Sequence, residues 1–82
     1  MEQKTKTEIL TSALEAREQE VLHYQINIDN YTLALAEIRK LPDAEQGELQ
    51  PFADQLRGLL ASEKLEQKKA KIMLEVVKQQ LE

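Results

Sequence analysis

The stretch Ile38-Arg39-Lys40-Leu41-Pro42-Asp43-Ala44-Glu45-Gln46-Gly47-Glu48-Leu49-Gln50-Pro51-Phe52-Ala53 decides the fold. Pro42 disfavours helical geometry at the residue before it, so a helix arriving from the N-terminal side must stop there. Pro51 suits the first turn of a new helix, where a backbone N–H has no partner inside the helix. Asp43 to Gly47 is turn chemistry, expected to form one loose helical turn closed by Gly47. A helix therefore enters, a connection spans residues 42–48, and a second helix leaves.

Working outward, Ile38 and Ala53 carry numbers that sum to 91, and further apolar pairs share that sum. Leu35 pairs with Leu56, Tyr31 with Leu60, Val21 with Ala70, Leu14 with Val77 and Leu10 with Leu81. Within each half the members recur every three or four residues, as one face of a helix must. Two helices running in opposite directions bring every pair together. The expected fold is all-α: an antiparallel, coiled-coil-like two-helix hairpin forming one domain over residues 1–82. Its helices are placed at about 6–41 and about 49–81 by the proline and glycine punctuation. Thr5-Lys6-Thr7-Glu8 matches a capping box, which opens the first helix.

One segment competes. Tyr24, Ile26, Ile28, Tyr31, Leu33 and Leu35 alternate around Asp29-Asn30 and by themselves suggest a β-hairpin. Leu14, Val21, Ile28 and Leu35 keep an unbroken seven-residue spacing through the segment. Its flanks are strong helix formers, so the helix is preferred. The seam has a polar middle, with Ile28 facing Glu63 and Tyr24 facing Gln67. Gln67 is expected to bond the Tyr24 hydroxyl, and the Glu63 carboxylate to reach for water. Arg17 is expected to lay its methylenes over the seam opposite Leu74.

A second apolar face remains on each helix. Leu22, Ile26 and Leu33 cluster about 150° from the first seam at 100° per residue. Leu65, Ile72 and Val76 form a stripe on the second helix, continued by Gly58 and Ser62 and flanked by Phe52, Leu59 and Met73. Fully burying one such side chain is worth about 1.5–3 kcal/mol, so the stripes predict association. The simplest partner is a second copy, two hairpins making an antiparallel four-helix bundle. The need is sharpened by size, since 82 residues with few aromatics build only a thin core.

Net charge is −4, unevenly spread. Residues 43–54, the connection and the start of the second helix, carry Asp43, Glu45, Glu48 and Asp54 without a base, whereas Arg57, Lys64, Lys68 and Lys71 form a basic stripe farther along that helix. A nucleic-acid interface needs such a stripe to dominate its surroundings. Here Glu75 continues the line, Glu15, Glu18 and Glu20 offer compensation, and no aromatic interleaves the bases. A solvated face with ion pairs is the expectation.

Glu20 and His23 have the Glu-x-x-His spacing of di-iron bundles, but Val21 and Tyr24 occupy the inward positions between them. No metal or cofactor is expected. With one His, no Cys, no glycine-rich phosphate loop and no enclosed volume, catalysis is not expected either. The polar start Met1-Glu2-Gln3-Lys4-Thr5 lacks a signal-peptide core, and no apolar run reaches bilayer length, which predicts a cytoplasmic protein. The expected function is a non-enzymatic protein–protein interaction module: a small adaptor, chaperone or inhibitor, of the sort a phage or mobile element carries. It self-associates and binds a protein partner through Leu22, Ile26, Leu33, Leu65, Ile72 and Val76. Two alternatives are a nucleic-acid-associated dimer using the basic stripe and a purely structural coiled-coil spacer.

Overall fold

The structure, a computed structural model, describes residues 4–82; Met1, Glu2 and Gln3 of the polar start lie outside the described residues. The described chain is all-helical, in the order α1 (Lys6–Arg39), α2 (Asp43–Glu48) and α3 (Gln50–Leu81). The alternating segment from Tyr24 to Leu35 is helix throughout. Tyr24, Ile28, Tyr31 and Leu35 fall on the inner side of one continuous helix and Ile26 and Leu33 on its outer side, where a strand would alternate them residue by residue.

The ends of α1 are closed by side chains. Thr5 stands in extended geometry and its hydroxyl accepts from the Glu8 N–H at 3.2 Å. This satisfies one of the first-turn donors that the helix itself leaves open. The other end stops at Arg39, two residues before the expected limit, because Pro42 keeps Leu41 out of helical geometry. Lys40 and Leu41 make the tighter turn instead, their N–H groups donating to Glu37 and Ile38 carbonyls at 3.2 and 3.1 Å. The Gln46 amide then reaches back, donating to the carbonyls of Leu41 at 2.7 Å and Arg39 at 3.2 Å. It clips the connection onto the last turn of α1.

The connection departs from expectation in one respect. Gly47 does not close a turn in the left-handed region; no described glycine has positive φ, and α2 runs straight through it to Glu48. The break falls at Leu49, whose ψ of 5° carries the chain directly into α3. Pro51 lies in the first turn of α3, and the Ala53 N–H already donates to the Leu49 carbonyl at 2.9 Å.

The buried side chains are Ile28, Leu35 and Ile38 on α1, with Ala53, Leu56, Gln67, Ala70 and Val77 on α3. All are members of the paired seam. Leu35, Ile38, Ala53 and Leu56 form one cluster beside the connection, with Tyr31, Leu49 and Leu60 packed against it. Farther along, Asn27 Nδ2 donates to Glu63 Oε2 at 3.4 Å, and Gln67 Nε2 donates to Gln25 Oε1 at 2.9 Å and to the Val21 carbonyl at 3.3 Å. As the α1 number falls, the α3 number rises, so the contacts run in opposed chain order.

Two polar expectations are corrected here. Gln67 bonds Gln25 and Val21 rather than the Tyr24 hydroxyl, because its amide meets acceptors on the near flank of α1. Glu63 accepts from Asn27 before it reaches solvent. The result is slender, 64 × 23 × 16 Å with a radius of gyration of 18.8 Å.

Candidate interaction surface

A helix with a heptad repeat turns two of every seven positions toward its partner and leaves the others outside. On α1 and α3 the outside positions are not all polar. Ten large apolar side chains among the described residues are exposed. Six of them are Leu22, Ile26 and Leu33 on α1 and Leu65, Ile72 and Val76 on α3. Leu33 and Ile72 are the most open, at 64% and 63%. Phe52, Leu59 and Met73 are exposed along the edge of the α3 stripe. Ile9, the tenth, stands about 120° from the centre of the α1 stripe at 100° per residue, with only the small Ala13 and Ala16 at helical spacing beside it.

The stripes differ in form. On α1, Leu22 and Ile26 border an open depression that also takes in Ala16, His23 and Tyr24. It is a trough across successive turns of one helix, shallow enough for an intruding side chain rather than a small molecule. On α3, Gly58 interrupts the surface. A Cβ built there meets nothing within 4 Å, so no contact inside the chain calls for the missing side chain.

His23 lies beside Tyr24 with ring centroids 6.3 Å apart in an edge-on arrangement. Glu20, its partner in the Glu-x-x-His spacing, is engaged by Arg17 at 3.0 Å on the same helix. Among the described residues no three His, Cys, Asp or Glu side chains converge as metal ligands. The Arg17 head bonds along α1, and the residue is half-buried.

The basic stripe is exposed in full, at Arg57, Lys64, Lys68 and Lys71. Arg57 pairs with Asp54 at 2.9 Å, one turn back on α3. Lys69–Glu66 at 3.0 Å and Lys78–Glu75 at 3.5 Å repeat that spacing. Every ion pair found among the described residues is of this local kind, so Glu15, Glu18 and Glu20 on α1 do not compensate the α3 bases by contact. A partner one turn away is reached with less loss of side-chain freedom than one across the seam.

Comparison with known proteins finds no matching family model, no matching curated protein and no matching solved structure. The surface must be judged on its own chemistry. No helix of the described residues is long and apolar enough to cross a membrane.

Proposed function

We propose that this chain is a non-enzymatic interaction protein. Its working unit is the antiparallel helical hairpin, which pairs with a second copy and offers aliphatic helix faces to a protein partner as an adaptor, small chaperone or inhibitor. One observation carries the proposal: Leu22, Ile26, Leu33, Leu65, Ile72 and Val76 are all exposed and fall into two stripes. Scattered exposed aliphatics are ordinary on any surface, whereas alignment at helical spacing is the pattern of helix-to-helix recognition.

Light scattering and sedimentation equilibrium test the association. The expected result is a mass of two chains, reduced to one by Ile72→Asp with helix content kept in circular dichroism. A carboxylate has no place in a desolvated helix contact. A lone chain at every concentration removes the self-association.

A second reading has its own observation. Lys64, Lys68 and Lys71 are exposed, and among the described residues no carboxylate stands within 4.0 Å of them. They offer a nucleic-acid backbone a line of free cations on one helix. Titration with duplex DNA and single-stranded RNA decides it: binding at low salt that collapses toward physiological salt supports this reading. No binding at low salt ends it.

A further inference from the structure

We propose that α3 carries a second, self-complementary seam and that the occupant of this seam is the α3 of another copy of the same chain, running in the opposite direction. The proposal rests on the self-association reading above and gives it a surface and a register. The stripe follows the positions Gly58, Ser62, Leu65, Lys69, Ile72 and Val76, which step by four and three like a coiled-coil seam. Small residues occupy its first part and β-branched residues its last part. An opposed pairing whose numbers sum to 134 places Gly58 against the partner's Val76 and Ser62 against the partner's Ile72. Each contact occurs twice because the arrangement is two-fold.

The same register works at the edges. Leu59 and Met73, both exposed, lie on the same edge of the stripe, where opposed helices bring them together diagonally rather than directly across. Lys69 meets the partner's Leu65, over which its methylenes can lie while its ammonium stays with Glu66 at 3.0 Å. Moving the register by one heptad either way breaks these matches, setting Gly58 against a lysine or Ile72 against one. Gly58, unexplained inside the single chain, acquires a role as the recess for a bulky neighbour.

Area and charge favour a second copy as the occupant. A compact monomer of this mass exposes about 5,000 Å². The chain exposes 6336 Å². The excess of about 1,300 Å² is more than the roughly 800 Å² each partner contributes to a stable interface of standard size. Direction follows from the connection. Copies lying parallel bring together two sets of Asp43, Glu45, Glu48 and Asp54, whereas opposed copies hold these exposed carboxylates at far ends. The dimer has the two α3 helices at its centre and the α1 helices, with Leu22, Ile26 and Leu33, outside.

Cysteine cross-linking tests the register, since the chain has no cysteine of its own. The double variant Ser62→Cys/Ile72→Cys is oxidised and run on a non-reducing gel. Within one chain the two positions are about 15 Å apart along the helix, too far for a disulfide, so any bond joins two chains. The expected result is a covalent dimer from the double variant, and none from either single variant, whose cysteines face serine or isoleucine. Gly58→Leu is expected to raise the dimer dissociation constant at least tenfold with the helical spectrum unchanged. A mass of two chains without cross-linking overturns the register while self-association stands. A mass of one chain throughout overturns both.

Discussion

The connection end of the buried seam and its middle are made of different material. Beside the connection, Leu35, Ile38, Ala53 and Leu56 close on one another with Ala53 at 3% and Leu56 at 5% exposure. In the middle, Asn27, Glu63, Gln25 and Gln67 meet through amide and carboxylate groups. An aliphatic contact is strong but tolerant of sliding, because one methyl packs much like the next. An amide that must find an acceptor is weaker and intolerant of sliding. The connection end therefore supplies most of the stability of the seam, and the middle fixes which residues face which.

Three substitutions probe that division. The largest effect is expected from Leu56→Ala, which leaves a void in the cluster and costs about 2–5 kcal/mol. Thermal or urea unfolding followed by circular dichroism should show the chain losing most of its stability; a small shift places the core elsewhere. Gln67→Ala removes the two bonds to Gln25 and Val21 and should cost about 1–2 kcal/mol in the same melt. Gln67→Leu, which keeps the volume, should come within about 1 kcal/mol of the native chain. A large loss with leucine shows that the amide contributes stability as well as register.

The smaller effects lie outside the seam. Gly58→Ala should raise the stability of the unassociated chain by about 1 kcal/mol, since a helix-interior glycine is unfavourable and the added methyl meets nothing. A melt at a concentration too low for association reads that gain directly. Asp54→Ala breaks the exposed pair with Arg57 and should cost less than about 1 kcal/mol, diminishing as salt is added.

Much of this was legible in the residues, for a physical reason. Helical period and the stops at Pro42 and Pro51 are local properties, and the seam repeats them nine times on each arm from Leu10 to Ile38 and Ala53 to Leu81. The outer stripes were equally legible, because one helix can turn only one side inward. The Gln46 clip was not. Its amide spans five and seven residues to reach Leu41 and Arg39, spacings that belong to no regular element. The Gln67 partner was misassigned because several acceptors stand within reach of one flexible amide, and number pairing alone does not rank them. Ion pairs expected across the arms formed along them instead, since a turn of helix holds the two charges close without further ordering.

The slender outline has a consequence for anyone weighing this protein by its size. A radius of gyration of 18.8 Å belongs to a chain of 82 residues here. A compact globule needs about 280 residues to reach it. On a column calibrated with spherical standards a single rod will elute as though it were several copies, and only methods that register mass rather than girth can count its chains.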